Sequence, residues 1–195
     1  MTKWIRIAAV LATLGLMTAH AQHNVRIGYE SYGQLNAAHD NAIFIVHFSP
    51  GFWDGVIGPG KPFDTDRYFI LNANIDARDT TLRDFASIQK ALADSLGIER
   101  FAATAGPSTG SFQVMEWAAA YPGTVARVIA VVPGGLAADP EYAKQLAARL
   151  KAHGTQVEEF QVDGGLDVAK AGDAIRAFLQ KDVSKVAFDR DFDFD

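Results

Sequence analysis

The chain has 195 residues, 49% of them hydrophobic, and its 18 basic against 23 acidic side chains leave a net charge of −5. That length builds one domain with a substantial core, and an acidic balance without a basic cluster argues against nucleic acid or an anionic membrane as partner. Cysteine is absent, which excludes disulfide bracing and thiol chemistry.

At the N-terminus, Lys3 and Arg6 precede an apolar run from Ile7 to Met17, and Ala19-His20-Ala21 forms an A-x-A cleavage signature. The run is too short to span a bilayer. Residues 1–21 are therefore expected to be a signal peptide, with the mature chain exported to the periplasm or beyond and starting at Gln22; an uncleaved N-terminal anchor is the competing reading. Residues 22–181 are expected to form a single domain, and residues 182–195, which close with DRDFDFD, an acidic C-terminal tail. Its spaced carboxylates lack the glycine and distal glutamate of a calcium loop.

Val25 to Ser31 alternates loosely and reads as a strand. Ala42 to Phe48 and Tyr68 to Ala73 are continuous apolar runs, the mark of strands covered on both faces. Between them lies a Gly/Pro-rich loop, Ser49 to Asp66. It contains Gly55-x-x-x-x-Gly60-Lys61, but Pro62 replaces the Ser/Thr of a phosphate loop and no helical pattern follows, so nucleotide binding is rejected. Thr81 to Asp84 is a capping box, and Leu82, Phe85, Ile88, Leu92 and Leu96 give one apolar helical face that ends at Gly97.

Phe101 to Ala105 reads as a short buried strand, and Ser111 to Tyr121 as a buried helix that Pro122 terminates. Between them stands Gly106-Pro107-Ser108-Thr109-Gly110. A five-residue pattern with three fixed positions recurs by chance; the strand–turn–helix context is what selects Ser108 as an exposed nucleophile on a sharp elbow. Val128 to Val132 is the next strand. Asp139-Pro140-Glu141 starts a helix that Gly154 closes, Val157 to Val162 is a last strand, and Ala169 to Gln180 a last helix. Strands alternating with helices predict an open, mainly parallel α/β sheet with helices on both faces.

The elbow and its continuation, Ser108-x-Gly110-x-x-Gln113-x-x-Glu116-Trp117-Ala118, resemble homoserine O-acetyltransferases and their exported relatives in the α/β-hydrolase superfamily. So do Tyr29-Glu30-Ser31-Tyr32-Gly33-x-Leu35-Asn36 and Ile57-Gly58-Pro59-Gly60-Lys61 followed by Asp64-Thr65-Asp66-Arg67-Tyr68-Phe69. The resemblance covers roughly Val25 to Leu179 and implies a shortened α/β-hydrolase fold. It also implies transfer of an acyl group from a thioester such as acetyl-CoA, through the serine, to an alcohol, with no resident cofactor or metal. By the same resemblance the oxyanion donors are the backbone amides of Thr109 and Phe48. Such chemistry further needs a base and an acid to orient it.

Those two partners are not where the family places them. Counting back from Asp139-Pro140-Glu141-Tyr142 puts Gly135 at the carboxylate position, and Asp163-Gly164-Gly165-Leu166-Asp167 has leucine in place of the family histidine. The stretch between Val132 and Asp139 is too short for the family's cap or a further strand, so Val128–Val132 should pair directly with Val157–Val162. His47, at a strand end, and Asp139 are the candidate substitutes, although capping accounts for Asp139. His23 and His39 sit in polar segments, and His153 precedes a helix end, where interaction with the helix dipole is the ordinary role. Two functions follow: a serine acyltransferase or esterase impaired by the missing partners, or a non-catalytic binding or remnant protein. A sheet lacking a strand and a cap should leave apolar surface for a homodimer.

Overall fold

A computed structural model of the chain describes residues 3–6, 26–46, 53–76, 82–133, 140–162 and 168–181. Among the described residues nine strands and four α-helices follow in order: β1 (Lys3–Arg6), β2 (Arg26–Tyr32), β3 (Ala42–Val46), β4 (Ile57–Gly58), β5 (Phe63–Asp64), β6 (Phe69–Asp76), α1 (Leu82–Ser95), β7 (Phe101–Pro107), α2 (Thr109–Ala120), β8 (Arg127–Pro133), α3 (Pro140–Ala152), β9 (Gln156–Val162) and α4 (Gly172–Leu179). Seven strands form one sheet in the order β1-β2-β6-β3-β7-β8-β9. The five from β6 to β9 run parallel, and β1 and β2 are antiparallel additions at one edge. This is the α/β-hydrolase arrangement that the sequence led us to expect, in shortened form.

The direct pairing of β8 with β9 holds from Arg127↔Gln156 to Pro133↔Val162. The buried strands are the apolar runs: Ala42, Ile43, Phe44 and Ile45 are wholly shielded from solvent. Alternate residues of each run face opposite sides, which makes two cores. On one face Phe44, Leu71, Phe101 and Val128 pack under α1, α2 and α3. On the other, Ile43, Ile45, Ile70 and Ile129 pack under α4 and under Trp53, Val56 and Phe63 of the segment after β3.

Several boundaries differ from the sequence reading, each for a tertiary reason. β6 continues to Asp76 because Asn74, Ile75 and Asp76 find partners in Gly28, Ile27 and Arg26 of β2. β7 runs on to Pro107, whose missing N–H costs the ladder nothing at a strand end. The segment read as a plain loop, 49–66, contains the parallel pair β4–β5. The last helix is two pieces, a 3-10 turn (Val168–Ala171) and then α4, and Gly172 packs so closely that a Cβ would lie 2.9 Å from Pro62 Cγ. Lys3–Arg6, inside the expected signal peptide, pairs with Arg26–Tyr29. The capping residue Thr81 and residues 182–195 lie outside the described residues.

Helix ends read from Gly97 and Gly154 agree with the structure. Ile98 N–H bonds to Ala93 O and Gly97 N–H to Asp94 O, and the same paired pattern recurs as Thr155 to Leu150 and Gly154 to Lys151. Both closures sit at the amino ends of the strands that follow.

Candidate active site

The strand order reverses beside β3. Trp53, Val56 and Phe63, on the way from β3 to β6, lie on the face that α4 covers, whereas β7 leads into α2 on the opposite face and on to β8. Loops that depart on opposite faces open a crevice at the carboxyl ends of the two neighbouring strands, the usual ligand position in an open α/β sheet. Ser108 lies there, between the end of β7 and the first residue of α2.

Its backbone is held at φ 50 and ψ −121, a conformation that costs a non-glycine residue about 1–3 kcal/mol. The neighbours supply what holds it. Ser108 N–H donates to Val131 O at 2.8 Å, and Ser111 N–H to Ser108 O at 3.0 Å. The buried Ser111 hydroxyl donates to Gly106 O at 2.9 Å and approaches Val131 O at 3.4 Å. Gly106 permits the turn, because a Cβ there would meet Gly110 O at 2.1 Å and Gly110 C at 2.4 Å. Gly110 in turn packs on Val46 at the end of β3.

Ser108 is partly exposed and its hydroxyl makes no capping bond to α2. Thr109, the expected oxyanion donor, is the first residue of that helix, where backbone amides lack intrahelical acceptors. The sequence singled out Ser108, Thr109 and the glycines; it missed Ser111, whose buried bonds to two strands leave no local pattern. An aromatic pair flanks the same edge: Phe112, one turn into α2, stacks on Tyr142 in the first turn of α3 at 6.2 Å.

The remaining expected participants divide in two. His47, Phe48, Asp139, Gly135 and Leu166 lie outside the described residues. Two histidines are described, and both sit at the far edge of the sheet. His39 precedes β3 and its Nδ1 lies 2.7 Å from Gly97 O, while His153 follows the end of α3 just before β9. With seven-residue strands between the edges, about 20 Å separates them from Ser108. Among the described residues no imidazole can reach the serine, and no group of three or more His, Asp or Glu could hold a metal.

Two concavities among the described residues also lie toward that far edge. Tyr32, Gly33, Asp54, Ile57 and Thr65 line one of about 330 Å³. The Tyr32 phenol there is pushed up to about 12 by burial first, then by its hydrogen bond to Glu30 and the charges of Glu30 and Asp54. Lys61, Asp64, Arg67, Tyr68 and Arg176 line the other. Asp64 is held below its ordinary value, chiefly by the amide of Gly60, then by that of Asp66 and by the charges of Arg67 and Arg176. Gly60 and Lys61 make no phosphate loop: the Gly60 amide is spent on Asp64, and Lys61 Nζ donates to Asp54 O.

No family model matches the chain. It is 38% identical over 164 residues to the homoserine O-acetyltransferase of Methanosphaerula palustris, covering 64% of this chain and 34% of that protein. It is 36% identical over 142 residues to the homoserine O-succinyltransferase of Litchfieldella anticariensis, covering 53% and 36%. The chain thus spans only about a third of the length of such relatives. Among solved structures it resembles esterase E22, with a TM-score of 0.56, 32% identity and 67% and 47% of the two chains covered. The homoserine O-acetyltransferase from Bacillus anthracis aligns with a TM-score of 0.67 over 94% and 99% of the two chains, at 17% identity.

Proposed function

We propose that the chain, which resembles homoserine O-acetyltransferases over 64% of its length and has the α/β-hydrolase fold, is a partial member of that family, with Ser108 its nucleophile for acyl transfer or ester hydrolysis, slowed by the missing histidine and carboxylate. The reading rests on one observation above all. A non-glycine residue at φ 50 is kept on a strand-to-helix elbow by a glycine that tolerates no Cβ, by two hydrogen bonds to the flanking strands and by one within the turn. Strain of this kind is retained where a side chain must project into a site.

The chemistry follows from what is near. Attack of Ser108 Oγ on an acyl carbonyl expels the leaving group and makes an acyl-serine, which an alcohol or water then opens. The oxyanion formed on the way would be stabilised by the Thr109 amide and, in the segment after β3, by that of Phe48. The donor would be a thioester such as acetyl-CoA, and no resident cofactor or metal is needed. Without a histidine to take the serine proton, turnover falls on the order of a million-fold. Action after export to the periplasm belongs to the same proposal.

Hydrolysis of p-nitrophenyl esters and simple thioesters should therefore stay near background and change little in Ser108→Ala. Leu166→His alone should recover little, because the orienting carboxylate is also missing. A large Ser108-dependent rate would overturn the impairment and make His47 the first base to test. The position of His39 and His153 at the far edge favours the second reading, a non-catalytic protein that keeps the elbow as a ligand cradle. Fluorophosphonate treatment separates the two: labelling lost in Ser108→Ala supports a residual nucleophile, and no labelling supports the cradle.

A further inference from the structure

The cleft at the amino edge, far from Ser108, gathers three cations around one carboxylate; Lys61 Nζ gives one of its three hydrogens to Asp54 O at 3.0 Å and keeps two. Lys61, Arg67 and Arg176 face one carboxylate, Asp64, around a cavity of about 90 Å³ walled by Pro62, Tyr68 and Leu179. One carboxylate offsets at most one of the three charges. Its Oδ1 accepts from the Gly60 and Asp66 amides, each at 3.0 Å, and the salt bridges among the described residues, Lys90–Asp94 and Lys181–Glu158, involve neither arginine. Arg67 Cζ lies 5.8 Å from the centre of the Tyr68 ring, a cation–π contact that consumes none of its N–H donors in a conventional hydrogen bond. Arg176 Nε is removed from solvent and has no acceptor among the described residues. The Arg176 side chain as a whole is half-buried, and a shielded N–H without an acceptor is the kind of donor that a bound anion satisfies.

We propose that this cleft, formed by Lys61, Arg67 and Arg176, is a binding site for a small oxyanion of the phosphate class. Its size admits a tetrahedral head and excludes a nucleotide. Two forked guanidinium groups and an ammonium match the several acceptor oxygens of such an anion better than the two of a carboxylate. The walls are already assembled: Tyr68 OH donates to Leu179 O at 3.3 Å, and Gly172 packs against Pro62. The depressed proton affinity of Asp64, to which both arginines contribute, places their fields at one spot. An occupant would tie α4 to the 60–68 segment and stabilise the folded chain by mass action.

The test is calorimetric titration and thermal unfolding of the full chain with inorganic phosphate, against sodium chloride at equal ionic strength. Saturable phosphate binding and a raised Tm are expected. Binding should weaken about tenfold or more in Arg67→Gln and in Arg176→Gln, since each removes charge-assisted hydrogen bonds. The exposed Lys144→Gln, on α3, should bind as the unaltered protein does. Circular dichroism checks each fold; if Arg176→Gln fails to fold, Lys61→Gln combined with Arg67→Gln carries the test. Phenyl phosphate in parallel distinguishes sources: binding of phosphate alone assigns a free anion, and equal or tighter binding of the ester assigns the phosphoryl end of a larger molecule. No effect beyond chloride from either, or binding unchanged in the variants, overturns the proposal.

Discussion

Ser108 and Gly106 show how one residue's strain is secured by another's lack of a side chain. A methyl on Gly106 would stand 2.1 Å from Gly110 O and 2.9 Å from Ser111 N, both backbone atoms with nowhere to go. Gly106→Ala should therefore destabilise the protein by about 3 kcal/mol or more, the upper end of overpacking costs, read from the urea midpoint. Gly55, where a Cβ meets nothing within 4 Å, is the control and should tolerate alanine. Asp64 makes a second prediction. Its proton affinity is lowered in the folded chain, first by the Gly60 amide, so it contributes stability above its ordinary value of 3.8 and loses it as pH falls through that value toward the folded one. Asp64→Asn should lower the urea midpoint at neutral pH, and the gap to the unaltered protein should close in acid. A gap that persists there would show that the side chain's shape, not its charge, matters.

At the scale of elements, α2 is tied to the sheet by one large side chain. Its Trp117 is wholly buried and meets Phe44 edge-on at 4.7 Å and Phe101 at 4.9 Å, joining the helix to β3 and β7 beneath the elbow. Trp117→Ala should cost about 3–5 kcal/mol. Trp117 Nε1 has no acceptor among the described residues, so Trp117→Phe, which keeps an aromatic edge and removes that donor, should cost much less. Equal losses in urea unfolding would mean that the indole volume dominates. The element types were legible because each rests on local pattern: continuous apolar runs for β3 and β6, and glycine closures for α1 and α3. Their ends were less so. β6 runs three residues past the apolar stretch because β2 offers backbone partners, and the short β4–β5 pair has no period to read.

For the whole molecule, the shortened sheet brings β8 directly against β9 and leaves Ser108 at the β3/β7 crevice. Among the described residues the large hydrophobics left exposed are Tyr32 and Tyr142, at 38% and 40%. The homodimer proposed from an uncovered surface thus has little apolar area on the described face, and sedimentation across a concentration series tests it. The sequence by itself determined the parallel α/β sheet and the elbow at Ser108, because those follow from short-range periodicity and turn chemistry; the β8–β9 adjacency followed from its shortening against the family it resembles, and α2 starts at Thr109, two residues before the helix read from Ser111. Only the tertiary structure decided what bears on the elbow from a distance. Val131, Val46 and the hydroxyl of Ser111 converge on it from three elements. It also decided that His39 and His153 stand at the opposite edge, and that Lys61, Arg67 and Arg176, up to 115 residues apart in the numbering, share one cleft. Charge carries no periodicity along a chain, so its convergence appears only when the strands have set which loops meet.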